Sequence, residues 1–367
     1  MKILHFISSG GLFGAEQVML SLSRYAKQNG IEAVIGAIHD QRDPHLEIIE
    51  KARREALPTV VFKSRGLFDI NTIRELRDFL KAAGIDVLHT HNYKSDFLGL
   101  IAARMAKIPI VATAHGFTDM TRAVTFYEKL DRWLLFSFFD RVVVVTSEIF
   151  PRWRGEGKKV IANGIDIHPF TATNVDRAQI RARYGMKPDD FVIATVGRLS
   201  KEKNQALLIK AFMPLAKENS RVKLLIIGDG PQRQSLKSLV TQLGLTSQVI
   251  FTGIITETAA MYHAMDIFAL SSLTEGVPIT ILEAMASKVA VVATKVGGIP
   301  DIIRDTETGL LVTSQDANGL TQALNSLITD KSKRQMLTAA AFDFVRANYS
   351  LEQMGQAYQK VYTEVLH

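Results

Sequence analysis

The sequence predicts an α/β protein built from two parallel-sheet domains. Short apolar runs rich in valine, isoleucine and leucine alternate with amphipathic helical patterns, and the rhythm restarts once, at "FVIATVGRLS". A chain of 367 residues that is 47% hydrophobic can also fill two substantial cores and is too long for one.

The first strand is "KILHFIS", followed by the helical "GAEQVMLSLSRYAKQNG" and the strand "EAVIGAI". Then come "DVLHT", a helical "DFLGLIAARMAK", "PIVATA" and "DRVVVVTS". Apolar strands separated by helix-length crossovers make a parallel sheet covered on both faces. The stretch from Ile167 to Asp190 is polar, has no long strand and marks a boundary. Beyond it the same alternation runs through "NQALLIKAFMPLAKEN", "VKLLIIGDG", "QRQSLKSLVTQLG", "VIFTG", "MDIFALSS", "AVVAT" and "GLLVT". From about Gly319 to Leu366 the pattern is helical, broken near "NYS". The boundaries that follow are 1–168 for the first domain, 169–348 for the second, and a final helix in 349–367.

The chain has no cysteine, which excludes disulfides, thiolate metal sites and a cysteine nucleophile and suits a reducing cytosol. No apolar run approaches the roughly 20 residues that cross a bilayer. The opening "MKILHFISSGG" reads as a strand and its turn, not as a secretory signal. A net charge of +7 is spread over both halves without a basic tail. It selects no nucleic-acid partner and leaves an anionic small substrate or an anionic membrane surface beside the plain reading of a basic protein.

In open parallel sheets, ligands bind beyond the carboxyl ends of the strands, so the loops there carry the chemistry. "SSGGLFGAE" places Gly10 and Gly11 after the first strand and Gly14 at a helix entrance, which suits an anion or simply a tight turn. It is not the G-x-G-x-x-G dinucleotide fingerprint. "TAHGF" sets His115 just after an apolar strand, where it can orient a hydroxyl, accept a proton or serve as a satisfied histidine beside the sheet. His89 and His91, in "HTHNY", sit in another post-strand loop, with no third ligand at a metal-binding spacing. In "VGRLSKEKN", Arg198 and Lys203 can neutralise phosphate oxygens, though a solvated charged loop reads the same way. Asp229, in "IIGDGP", belongs to a Gly-Pro turn.

"TEGVPITILEAMA" starts a helix at Pro278, with Glu275 before it and Glu283 on it, eight residues later. By itself this is a helix entry with an ordinary surface glutamate. "ATKVGGIPDII" adds Gly297 and Gly298 after a further strand.

Taken together these motifs resemble the retaining nucleotide-sugar-dependent glycosyltransferases of the GT-B fold, glycosyltransferase family 4 (glycosyl transferases group 1). The resemblance covers essentially the whole chain and is strongest from Val196 to Ile303. "EGVPITILE" matches the family's E-x7-E motif, and "VVATKVGGIPDII" matches its continuation.

The resemblance implies two Rossmann-like domains facing an interdomain cleft, with an acceptor-side amino domain, a donor domain and a last helix that returns to the amino domain. It implies that Glu275 contacts donor-sugar hydroxyls, Glu283 binds the ribose, and Arg198 and Lys203 clamp the diphosphate. Gly11 matches the loop near the phosphates, and His115 the histidine that orients the transferred sugar. Asn163, Gly164 and Asp166 shape the interdomain connection. No cofactor or metal is firmly implied, because the diphosphate clamp can come from side chains and amides.

The implied reaction moves a sugar from a nucleotide diphosphate sugar to a hydroxyl acceptor with retention, in surface polysaccharide or glycolipid synthesis. Partners are the donor and a saccharide or lipid-linked acceptor, met near Asn92, Tyr93 and residues Phe117 to Arg122. "RAVTFYEKLDRWLLFSFFDR" is either an ordinary buried helix or a dock on an anionic membrane, which would put a cytoplasmic protein at the inner face of the cell membrane. The alternatives are a GT-B nucleotide-sugar epimerase and a non-catalytic sugar-nucleotide-binding assembly protein.

Overall fold

A computed structural model describes residues 1–8, 12, 14–40, 46–65, 69–115, 137–146, 157–171, 176–255 and 258–367. The chain forms two compact units: Met1–Gly164 together with Leu351–His367, and Ile165–Ser350.

In the first unit β1 (Lys2–Ile7), β2 (Glu32–Asp40), β3 (Thr59–Ser64), β4 (Val87–Thr90), β5 (Ile110–Ala114), β6 (Arg141–Val144) and β7 (Lys158–Val160) form one parallel sheet. Its order is β3-β2-β1-β4-β5-β6-β7, so the direction of winding reverses between β1 and β4. The crossovers include α1 (Gly14–Gln28), α2 (Glu47–Arg54), α3 (Ile70–Ala82) and α4 (Tyr93–Ala106). Strand alternation divides β1 between two cores. Leu4 and Phe6 join Leu76, Leu80, Leu98 and Ala102 on one face. Ile7 joins Met19, Leu20, Ile48 and Ile49 on the other. Helix starts are fixed locally: Asp69 accepts from the amides of Asn71 and Thr72, and Asn92 forms a reciprocal capping box with Ser95.

The last helix, α13 (Leu351–Leu366), belongs to this unit. Its buried stripe of Leu351, Met354, Gly355, Tyr358, Val361 and Tyr362 has helical spacing. Gly355 is there for contact: a Cβ would lie 2.2 Å from the ring of Tyr25 on α1. Beside it the Tyr25 hydroxyl donates to Gln359 Oε1 at 3.0 Å.

In the second unit β8 (Phe191–Val196), β9 (Val222–Ile227), β10 (Val249–Gly253), β11 (Ile267–Leu270), β12 (Ala290–Thr294) and β13 (Leu310–Val312) are parallel in the order β10-β9-β8-β11-β12-β13. Here the reversal falls between β8 and β11. Around this sheet are α5 (Arg177–Arg183), α6 (Gln205–Glu218), α7 (Arg233–Gln242), α8 (Ala259–Tyr262), α9 (Ile279–Ala286), α10 (Ile299–Ile302), α11 (Ala317–Thr329) and α12 (Lys331–Asn348). Leu208, Phe212, Leu224, Ile226, Val292, Leu320 and Leu324 centre its core. The buried Arg181 guanidinium ties α5 down, donating to the carbonyls of Ala264, Pro188 and Asp190 and to Asp266. Each of the three guanidinium nitrogens thus has an acceptor, as burial of a charged group requires.

Candidate active site

Two loops leave the second sheet on either side of its reversal point, one after β8 and one after β11. This is where a doubly wound sheet leaves a crevice. Lys203 from the first reaches Glu275 from the second: Nζ donates to both carboxylate oxygens, at 2.6 and 2.8 Å. Ser272 Oγ donates to the same Oε1 at 2.5 Å. The carboxylate is 8% exposed and the lysine 24%, so the pair is held largely out of water, where its attraction is strong.

Several contacts fix the two loops to each other. The Leu273 amide donates to the Glu202 carbonyl at 2.7 Å, and Ser271 Oγ to the Asn204 carbonyl at 2.9 Å. Asn204 itself is left-handed at φ +47°, a conformation asparagine tolerates better than most residues. Arg198 is exposed on the β8 loop, and its carbonyl accepts from Gln205 Nε2 at 2.9 Å.

Two further backbones press on these loops. A Cβ on Gly228 would stand 2.0 Å from the Gly197 carbonyl oxygen, and one on Gly297 would stand 1.8 Å from that of Glu275. Gly297 also has φ +50°, and the Gly298 amide donates to the Gly276 carbonyl at 3.0 Å. The paired glycines after β12 are therefore a seat for the Glu275 loop.

Glu283 lies on α9, whose cap position is Pro278. The buried Tyr262 hydroxyl donates to Glu283 Oε2 at 2.6 Å. Burial, then the charge and hydrogen bond of Glu283, hold that phenol's pKa well above its usual value, so it stays a donor. Tyr262 was not legible as a site residue: nothing in "AAMYHAM" separates it from a core aromatic.

The first unit holds a second polar cluster, at its own reversal point. His89 is not in a loop, as the sequence suggests, but inside β4, where it pairs in register with His5 of β1. An apolar strand accepts it because both ring nitrogens are occupied: Nδ1 by the Tyr362 hydroxyl at 2.7 Å, Nε2 by Thr113 Oγ1 at 2.8 Å. Thr113 is bonded in turn to the Tyr358 hydroxyl at 3.0 Å. His5 Nδ1 lies 3.1 Å from His91 Nε2, and His91 Nδ1 lies 3.1 Å from His115 Nε2. Burial lowers the pKa of His5 to about 3 and of His115 to about 4. His89 and His91 are held well below the ordinary range by burial and by their histidine neighbours.

Residues 14–168 match the model of Glycosyltransferase Family 4, and residues 176–344 match that of Glycosyl transferases group 1. The chain is a GT-B glycosyltransferase of these families. It is 27% identical over 347 residues to the Escherichia coli UDP-Gal:alpha-D-GlcNAc-diphosphoundecaprenol alpha-1,3-galactosyltransferase, covering 90% of this chain and 89% of that one. It is 33% identical over 201 residues to the GDP-mannose-dependent alpha-(1-6)-phosphatidylinositol monomannoside mannosyltransferase of Mycolicibacterium smegmatis, covering 52% of each. The structure of Anabaena Alr3699/HepE in complex with UDP-glucose superposes with a TM-score of 0.87 at 24% identity, over 99% of this chain and all of that one.

In this glycosyltransferase the fold joins two of the residues singled out in the sequence, Lys203 and Glu275, directly, and sets Glu283 on the helix that follows. Asp229 holds the amide of Gly230 and an ion pair with Arg233, the turn role its sequence suggests. Gly11, residues Phe117 to Arg122 and most of the aromatic stretch that follows lie outside the described residues. Asn92 is occupied by its capping box and by the Ser8 carbonyl, which its Nδ2 reaches at 2.5 Å.

A third ligand for His89 and His91, which spacing does not supply, comes from β1. His5, His89 and His91 bring ligand nitrogens within 4.8 Å of one another. Hydrogen bonds already account for this grouping, since both nitrogens of His89 are bonded to hydroxyl groups. Among the described residues, no helix is long and apolar enough to cross a membrane.

Proposed function

We propose that this glycosyltransferase transfers a sugar from a nucleoside diphosphate sugar to an acceptor hydroxyl with retention of anomeric configuration. The observation that carries the reading is the Lys203–Glu275 pair at the reversal point of the second sheet, with Glu283 on the helix that follows. A cation and a carboxylate fixed side by side suit a sugar diphosphate, which carries anionic phosphates next to neutral hydroxyls. The UDP-galactose of the Escherichia coli galactosyltransferase and the UDP-glucose bound in the Anabaena complex support this class of donor.

In this reading Lys203 and Arg198 bind the diphosphate, and Gly11 belongs to the loop that serves the phosphates. Glu275 accepts from sugar hydroxyls, Glu283 from the ribose, and His115 orients the transferred sugar. The bond from C1 to the phosphate oxygen breaks, its electron pair leaving with the diphosphate, whose growing charge the two cations stabilise. The acceptor oxygen attacks C1 from the same face, and its proton passes to the departing phosphate. Glu275 and Glu283 are therefore ligands, not the acid and nucleophile of a glycosidase. Residues 1–168 with 349–367 form the acceptor side, and 169–348 bind the donor. The acceptor is a saccharide or lipid-linked hydroxyl met on the cytoplasmic side, in surface polysaccharide or glycolipid synthesis.

A matrix of donors and acceptors, with mass and anomeric analysis of the products, tests this. Intact transfer with retention is expected. Inversion overturns the mechanism, conversion of donor without acceptor makes the protein an epimerase, and binding without turnover makes it an assembly factor.

A further inference from the structure

Three imidazoles in a row have a property that single histidines lack. A neutral imidazole carries one N–H and one lone pair. His5 Nδ1 meets His91 Nε2, and His91 Nδ1 meets His115 Nε2, each at 3.1 Å. Each contact needs one donor and one acceptor, so fixing one ring fixes all three. Only two arrangements exist: every ring protonated on Nδ1, or every ring protonated on Nε2.

The rings are kept neutral, because burial and mutual repulsion oppose charging them. They are also held still. His91 packs against His89 with ring centroids 4.1 Å apart and planes tilted by 38°, and its amide donates to Ser95 Oγ at 3.2 Å. His89 is pinned in turn by Tyr362 and Thr113. At the other end, His5 lines a small cavity together with Tyr25, Gln359, Tyr358 and Tyr362.

The outer nitrogen of His115 selects between the arrangements. His115 Nδ1 is buried and has no hydrogen-bond partner among the described residues, whereas His5 Nε2, at the end beside the cavity, is not such an orphan. A buried unpaired N–H is less tolerated than a bare lone pair. We propose that the row rests with all three histidines protonated on Nε2, and that His91 is the positioning residue that keeps the Nδ1 lone pair of His115 ready to accept from a hydroxyl of the transferred sugar. This rests on the reading of His115 given above. The acceptor lone pair would orient a sugar hydroxyl by its hydrogen, leaving the hydroxyl oxygen to other donors.

Long-range proton–nitrogen spectra of the full chain, labelled with 15N in histidine and assigned by single His→Gln variants, read each tautomer directly. His5, His91 and His115 are expected as Nε2–H forms. In His91→Leu, His115 should show both tautomers, and kcat/KM for the donor should fall about tenfold, the scale of one net hydrogen bond. His91→Gln keeps one donor and one acceptor, so it should restore most of both and controls for folding. An Nδ1–H form of His115 in the unmodified protein, or an unchanged His115 signal in His91→Leu, overturns the row whatever the activity. Unchanged kcat/KM in His91→Leu, with transfer impaired in His115→Ala, overturns the positioning role. Full transfer by His115→Ala overturns the reading of His115 and the positioning role with it, while the spectra still decide the row.

Discussion

Gly297 and Glu275 touch backbone to backbone, so closely that a methyl group on the glycine would stand 1.8 Å from the glutamate carbonyl oxygen. The contact makes the loop carrying Glu275 depend on a residue 22 positions further along the chain. Gly297→Ala must move that loop, and φ +50° adds backbone strain. The expected result is a folded protein with kcat/KM reduced about 100-fold, the scale of an ångström-sized misplacement in an active site. Circular dichroism and steady-state kinetics on the same sample check it, and wild-type turnover would remove the seat from the argument.

The Lys203–Glu275 pair separates stability from activity. Lys203→Met leaves a nearly buried carboxylate without its counter-ion and should cost about 1–3 kcal/mol, allowing for the lysine's partial exposure. Adding Glu275→Gln should return most of that stability and none of the transfer. Urea titrations of both single variants and the double variant measure the coupling; additive losses would show that the ion pair is not what stabilises the loops.

Tyr262 holds Glu283 by one hydrogen bond of 2.6 Å, and Tyr262→Phe removes only the hydroxyl. The ring stays in its aromatic setting beside Phe170 and Phe268. A bond to a charged acceptor lost in this way corresponds to about a tenfold or larger loss in affinity. KM for the donor should rise by about that factor with kcat little changed. A fall in kcat at constant KM would instead place Glu283 in the transition state.

The four clustered histidines make the first unit acid-sensitive. Their folded pKa values lie below the ordinary value, at about 3 for His5 and about 4 for His115, with His89 and His91 also well below it. The unfolded chain therefore binds more protons than the folded one at any pH between these values and about 6.5. Their contribution is complete above about pH 6.5 and is lost as pH falls towards 3 or 4. The ceiling is roughly 1.4 kcal/mol per pH unit for each histidine. Native-state hydrogen exchange of the β1 and β4 amides between pH 7.5 and 4.5 should report this slope, reduced in His89→Gln. A flat profile would show that the rings are not buried neutral.

Much of this was legible in the sequence because it is local. Strand and helix periods give the second sheet and β1, β2, β4, β5 and β6 of the first, though not β3 or the short, lysine-rich β7, and a turn followed by an apolar helical pattern gives the entry at Pro278. Glu275 and Glu283 stand out because their motif lies within one loop and the helix after it. What was not legible depends on register between distant segments. His5 sits in the middle of "KILHFI" and gains meaning only from pairing with His89, 84 residues later. Tyr358 and Tyr362 look like ordinary members of an apolar stripe until the fold sets their hydroxyls against Thr113 and His89. Placing His89 in a loop was an error of the same kind, since a histidine in an apolar strand reads as a strand end when its partners are unseen.

The partnership of Tyr362 with His89 spans 273 residues and that of Tyr358 with Thr113 spans 245. On a ribosome adding about 5–20 residues each second, the strands emerge roughly 12–55 s before the helix that covers them. Throughout that interval Tyr25 on α1, and His89 and Thr113 in the sheet, lack the partners that this helix supplies. A ribosome that stops anywhere before Leu351 releases a chain in which those partners stay missing, however well the second unit has folded. The helix from Leu351 to Leu366 thus completes the first unit only after residues 165–350 have been made, so the folding of that unit spans the synthesis of the second.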